Sequence, residues 1–548
     1  MTTRINNRFL VQYPAGYLRD LTFDSVPGLT WKAVSYHQRP HTKAQSSKAN
    51  RSRRVRVKRK GLSFFLFLLG VAVSARCVES QPISSAQLMA WMAAGVPENR
   101  LVRIVQERGM TGIPGKEQLR HFESAGAGAN LLHTLSHLKT SAAASTFAPD
   151  SKASEIPETL LQAAIAARGQ RFHEAELALR QALTADSENA SLHFALGAML
   201  RQQERWDDAF DEIARSAELM PDLAENHSSL AYIFYRLDDG PNAIAEARTA
   251  LSMDPQNAEA YQFLALGLYS TGQYGAAVHA FSESLSRDGN NPDTYYDLGI
   301  TLHADGNQAA AIAAYRRTIQ LKPGFWQAHS NLALIFHEQN QLDDAIAEYR
   351  EAKKLAPQDA SVRNNLGNTY CDKGNFDAAI LELRELYSQH PEWQQGHTCL
   401  ARAYMAKKDY DHAISELQLA VRQNPTSASE HRTLGEAMLL ADQVEEGVRE
   451  LRLAVALNPD ADAAHHALGT ALFRQQQLPA AEKEFREALR LNASPDNHYS
   501  LAACLMSEDR YEEALLELEI AARLDPERKL YRARRDELVK LMKDTNSR

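Results

Sequence analysis

The chain has 548 residues, 44% of them hydrophobic and 24% charged, which is ordinary soluble composition at a length too great for one globular core of usual size. Residues 1–60 carry 14 Lys and Arg against 2 acidic residues, leaving 47 basic against 67 acidic for the rest; an acidic excess of that size argues against a nucleic-acid partner. Four isolated cysteines, Cys77, Cys371, Cys399 and Cys504, exclude a disulfide scaffold and offer no paired spacing for zinc.

Residues 1–50 show little helical or strand periodicity and are expected to be disordered, or untranslated if synthesis begins nearer Val55 or Val57. Arg51–Lys60 reads RSRRVRVKRK and runs directly into the apolar stretch Gly61–Ala75, GLSFFLFLLGVAVSA. A basic stretch, a short apolar run and a small-x-small ending at Val73-Ser74-Ala75 are the three parts of a signal peptide, with cleavage expected after Ala75. The rival reading of residues 51–75 is an uncleaved signal-anchor, a single helix in the inner membrane, although the stretch is short for a span of about 20 residues. Either way the remainder is expected to be exported, periplasmic or secreted in the first case and tethered in the second. Arg76 fills the slot where lipid attachment at Cys77 would want a small residue.

Residues 83–138 read as a small helical module. Ser84-Ser85 caps AQLMAWMAAG, stopped by Gly95; Pro97 opens ENRLVRIVQERG, whose Leu101, Ile104 and Val105 share a face. Two further short helices are expected near Lys116–Ser124 and Asn130–Leu138. A structural or spacer role is preferred to a helix-turn-helix binder, and the Ala, Ser and Pro content of residues 139–157 reads as a linker.

From residue 156 to 528 a small residue recurs every 34 positions, at Ala175, Ala209, Ala243, Ala277, Ala311, Ala345, Ala379, Ala413, Gly447 and Ala481, with Ala514 one residue early. A second small series runs twelve positions upstream: Ala163, Gly197, Ala231, Ala265, Gly299, Ala333, Gly367, Ala401, Gly435, Gly469 and Ala502. Two obligatorily small slots per period mark close approach of two helix backbones, so each period is one packed unit of a solenoid. In the unit 292–325, Tyr295, Leu298, Gly299 and Leu302 form one apolar stripe, Ala311, Tyr315 and Thr318 a second, and Asp305-Gly306-Asn307 the turn between them.

This pattern resembles the tetratricopeptide repeat: Leu at position 7, small at 8, Ala at 20 and Pro at 32, here Leu298, Gly299, Ala311 and Pro323. The resemblance covers about eleven repeats and implies an all-α, right-handed superhelical solenoid preceded by the small helical module. The first repeat departs from it, with Gln162 in the Leu slot and Ser187 in the Pro slot, as suits a terminal unit. Residues 529–543 form a last amphipathic helix expected to cap the array.

Histidine fills position 4 in seven repeats (His193, His227, His329, His397, His431, His465 and His498), and packing is preferred there to metal binding because equivalent side chains stand a repeat apart. The resemblance implies that positions 2, 5, 9 and 12 of the first helix line a concave groove. Candidate ligand-groove residues are Tyr232, Tyr235, Tyr269, Tyr296, His303 and His337, with the amides of Asn331, Asn364, Asn365 and Asn368 placed to pair with an extended peptide backbone. The asparagines are similar in part to the ladder of O-linked N-acetylglucosamine transferases, but Ser229, Phe263, Asp297, Cys399 and Thr433 hold the other equivalent slots. The Lys and Asn pattern of a carboxylate clamp is missing. So are a P-loop, a GxSxG elbow, a dinucleotide fingerprint and the second His of a zinc-protease helix after His173 or His337. No enzyme activity, cofactor or metal is expected. The reading is a scaffold or adaptor that binds protein or peptide segments outside the cytoplasm, with membrane association through residues 61–75. The alternative is a carbohydrate- or envelope-polymer-binding module that stacks its ligand on the groove aromatics.

Overall fold

The computed structural model describes residues 81–138 and 156–546. The expected disordered segment, the signal or anchor at 51–75 and nearly all of the expected linker lie outside these residues. The described residues contain 27 helices and, in place of strands, one isolated bridge between Ile83 and Met110. Among them no helix is long and apolar enough to cross a membrane. They fall into two compact units, one ending at Ala328 and the other beginning at His329.

In both units the chain alternates a first helix of 10–13 residues with a second of 14, as in Ala190–Gln202 and Trp206–Leu219. Six of the first helices are opened by side-chain caps: Asn189, Asn257, Asn291, Asp359, Ser427 and Ser494 each accept from the backbone N–H two or three residues on. The turn between the two helices puts one residue in the left-handed region in every repeat: Gln170, Glu204, Asp238, Gly272, Gly306, Asn340, Gly374, Lys408, Asp442, Gln476 and Asp509. Only three of these are glycines, so the reversal is imposed mainly by packing of the helix pair and costs the other residues some strain.

The small slots do what their spacing demands. The alanines of both series are 0% exposed. A Cβ added to Gly197, Gly299, Gly367, Gly435 or Gly469 would lie 2.5–2.8 Å from Ile213, Tyr315, Leu383, Leu451 or Phe485, in each case the side chain sixteen residues on, in the second helix. Buried apolar residues of the first unit form a core from Ile83 to Ala243, and a second cluster around Phe263 and Phe281. In the other unit the helix Lys529–Asn546 packs on Tyr511–Leu524 and sinks Tyr531 and Leu538 into the core of the last repeats, covering an apolar end that would otherwise face water. Cys371, Cys399 and Cys504 are buried, with thiols directed at backbone carbonyls.

Position 4 carries a polar system of its own. In all seven histidine repeats the imidazole Nδ1–H donates to a glutamate nineteen residues on, across the helix pair: His193 to Glu212, His227 to Glu246, His329 to Glu348, His397 to Glu416, His431 to Glu450, His465 to Glu484 and His498 to Glu517, at 2.6–2.8 Å. Arg363 takes the same place opposite Glu382 at 3.1 Å. Where position 4 is tyrosine, at Tyr261 and Tyr295, the partner slot holds Ala280 and Ala314. Each position-4 group is thus a strut between the two helices of its repeat. At His193, Nδ1 faces Glu212 and Nε2 faces the Ser187 carbonyl, so both nitrogens donate; the bond to Glu212 raises the imidazole pKa.

Candidate functional site

In the first unit the module of residues 83–138 packs on the array and shares its core. Helix Ser85–Ala93 lies against Glu158–Arg168 and Ala190–Gln202, the first helices of repeats one and two, and buries Leu88, Met89 and Trp91 in one cluster with Leu160 and Leu192. Helix Glu98–Arg108 then carries three arginines onto repeat three. Arg100 Nε lies 2.5 Å from Glu225 and 3.3 Å from Asp254, Arg103 reaches Asp254 at 3.2 Å, and Arg108 reaches Asp222 at 3.1 Å. Glu225 stands at position 2, on the face assigned to the groove. The module therefore occupies the first-helix side of the early repeats.

The aromatic candidates of this unit are partly buried among their own neighbours. Tyr232 sits edge-on to Trp206 at 5.9 Å, beside Phe263 at 5.0 Å and Tyr235 at 6.3 Å, with its hydroxyl accepting from Arg236. Tyr269 meets Tyr274 at 5.5 Å, and burial pushes its hydroxyl up to about 12. Tyr296 packs against Phe325 at 4.9 Å and Tyr315 at 5.9 Å, while His303 is half-buried near the end of its helix. Tyr232 and Tyr235 are in ring contact with each other. Asp297, one residue past Tyr296, accepts from Gln262 at 3.2 Å, yet burial dominates and pushes its carboxyl up to about 7.

In the second unit the asparagines gather at an irregularity. The periodicity would start a first helix at Gln394, one period after Ala360, but it starts at His397, behind Gly396 at φ +96. The first turn of that helix is unwound. Only glycine suits the place: besides the left-handed backbone, a Cβ would come within 2.8 Å of Asn364 Oδ1 and 3.0 Å of the Tyr387 hydroxyl. Tyr387 holds the unwound turn by donating to the Gln395 carbonyl at 2.7 Å and stacks flat on His397, with ring centroids 4.4 Å apart.

The missing turn leaves a polar cavity of about 180 Å³, bordered by His337, Asn364, Asn365, Asn368, Gly396 and Glu430 among others. Asn364 and Asn365 are buried, and Asn364 Nδ2 donates to Asn365 Oδ1 at 3.4 Å. His337 is tied through Nε2 to Asp372 at 3.0 Å, and Asp372 also holds Arg402. Asn331 is buried and does not border the cavity. The structure thus brings together four of the predicted residues, His337, Asn364, Asn365 and Asn368. Sequence reasoning missed Gln394, Gln395, Gly396 and Glu430. The signal was present in WQQG: Trp393 stands in the slot where the neighbouring repeats place the capping Asp359 and Ser427, and Gly396 falls in the first turn that follows.

Models of the tetratricopeptide repeat match residues 160–224, 228–292, 264–324, 364–428, 434–498 and 466–529, and a further repeat model matches 333–374. Among solved structures, a tetratricopeptide repeat protein from Parabacteroides merdae is 15% identical, over 46% of this chain and 98% of its own, at a TM-score of 0.37. Pseudomonas aeruginosa PilF is 18% identical over 40% and 97%, at 0.35, and yeast Tom70 is 15% identical over 70% and 95%, at 0.31. Curated protein sequences offer no match to this chain.

Proposed function

Because this chain belongs to the tetratricopeptide repeat family, whose stacked helix pairs serve as protein-interaction scaffolds, we propose that it is a non-catalytic adaptor binding extended protein segments along its first helices. The observation that carries this reading is the cavity at Gly396. An ordinary repeat would close it with a helical turn, and here it is lined by buried amides. Amides at a groove wall pair with a peptide backbone without reading its sequence, and partly exposed tyrosines offer apolar area at low entropic cost. The basic run at 51–60 and the apolar run at 61–75 support a place outside the cytoplasm, with partners drawn from the cell envelope. A protein segment is favoured over a carbohydrate because the tyrosines are spent on one another and on Trp206, Phe263 and Phe325 rather than presented as open faces.

A pull-down from envelope extract of the native host, with the extract digested by protease in one arm and by glycan hydrolase in the other, tests the class of partner. Capture is expected to vanish after protease and survive the hydrolase. Changing Tyr235, Tyr269 and Tyr296 together to Ala is expected to weaken capture at least tenfold; full retention would show that the groove is assigned wrongly.

A further inference from the structure

We propose that the cavity beside Gly396 is a receptor for one basic side chain, lysine or arginine, of the bound segment. This rests on the reading that segments lie along the first helices, and it adds what the cavity selects.

The argument starts from what the lining leaves unpaired. Three side-chain atoms of the cavity residues are buried without a hydrogen-bond partner: Asn364 Oδ1, Asn368 Oδ1 and Glu430 Oε2. All three are oxygens. Asn364 is only 3% exposed, and its Nδ2 is spent on Asn365, which turns the carbonyl end toward Gly396. A buried acceptor left without a donor costs about 1–3 kcal/mol, more when it is charged, so three of them on residues that border one cavity favour a guest that brings several N–H groups. An anion is opposed by the Glu430 carboxylate, which burial already holds above its ordinary pKa.

The positive groups at the rim do not supply those donors. His337 is held by Asp372, and His397 donates to Glu416 at 2.7 Å. The remaining positive influence is the N-terminus of the shortened helix His397–Ala406, a partial charge of about half a unit against a full carboxylate and two amide dipoles. At about 180 Å³ the space is enough for an ammonium or guanidinium head with its last methylenes. The acidic excess after residue 60, 67 against 47, would draw such a segment in.

The test uses random twelve-residue peptides displayed on phage, selected on the full-length chain, with affinities of the winners measured by fluorescence anisotropy. Winners are expected to carry Lys or Arg at one fixed position. Replacing that residue by norleucine should weaken binding by about tenfold to a hundredfold. Glu430→Gln, a half-buried and nearly isosteric change, should weaken the basic peptide about tenfold and leave the norleucine peptide unaffected. Peptides that lose affinity with Asn368→Ala, yet are indifferent to norleucine and to Glu430→Gln, would overturn the basic-side-chain receptor and leave the groove reading standing. Winners insensitive to every first-helix substitution would overturn the groove reading itself.

Discussion

Swapping one strut of the array for another is the sharpest test of how the repeats hold together. His431 is 4% exposed, and its Nδ1 meets Glu450 Oε2 at 2.7 Å, while Nε2 reaches the Pro425 carbonyl at 3.2 Å. Glu450→Ala leaves a buried N–H without its acceptor, at about 1–2 kcal/mol once the partial exposure of the glutamate is allowed for. His431→Tyr alone forces a larger ring against Glu450 and strips that carboxylate of its donor, at about 1–3 kcal/mol. The double change recreates the combination that the chain already uses at Tyr261 with Ala280 and at Tyr295 with Ala314, the ring filling space that the glutamate vacates. It should therefore cost less than the sum of the singles by about 1–2 kcal/mol. Amide hydrogen exchange over residues 428–457, in all four proteins of the cycle, reads this locally and does not depend on the whole array unfolding in one step. Strict additivity of the two changes would refute the idea that position 4 and its partner nineteen residues on form one coupled unit.

Two glycines should respond oppositely to alanine. In Gly435→Ala the new Cβ meets Leu451 Cγ at 2.6 Å and the Gly447 carbonyl at 3.0 Å, so overpacking of about 2–3 kcal/mol outweighs about 1 kcal/mol of helix propensity, whereas Gly275→Ala meets nothing within 4 Å and should gain ~0.5–1 kcal/mol, both by urea unfolding. Asp297 binds its proton more tightly folded than unfolded, so the penalty of ionising it grows as pH rises from about 4 to about 7; Asp297→Asn should raise stability at pH 8 on the order of 1–2 kcal/mol and lose that advantage toward pH 4 in thermal unfolding. Arg100→Ala strands the buried carboxylate of Glu225 and leaves Asp254 to Arg103 alone, and exchange across the helix Glu98–Arg108 should quicken at least tenfold if that contact, worth roughly 2–3 kcal/mol, holds the module on repeat three.

The repeat was legible because its smallest residues are its most constrained. Gly435 and Gly447 touch across the helix pair, and no larger residue fits, so the spacing of small residues reports backbone contact directly. The left-handed turn residue was legible only where it is Gly272, Gly306 or Gly374; Lys408 or Gln476 in the same conformation carries no mark, because packing rather than propensity puts it there. The histidines stood out as a ladder, but their partners lie nineteen residues on, in a different helix, and local periodicity does not connect the two. The module's arginines were invisible as a docking surface for the same reason: Arg100 and Glu225 are joined only by the fold. At the candidate site, Asn364 and Asn368 could be found from their shared helical face, whereas the cavity they border comes from a helical turn that fails to form at Gln394 to Gly396.

The central claim is that partners lie along the first helices, and site-specific photocrosslinking tests it most directly. A benzophenone side chain is placed either at residue 368, on the cavity wall, or at residue 381, where Leu381 stands 66% exposed on the second helix Phe376–Gln389. Irradiation in envelope extract is predicted to join a protein partner to position 368 and none to position 381. A partner captured from position 381 while position 368 stays silent would place binding on the opposite helices and contradict the account.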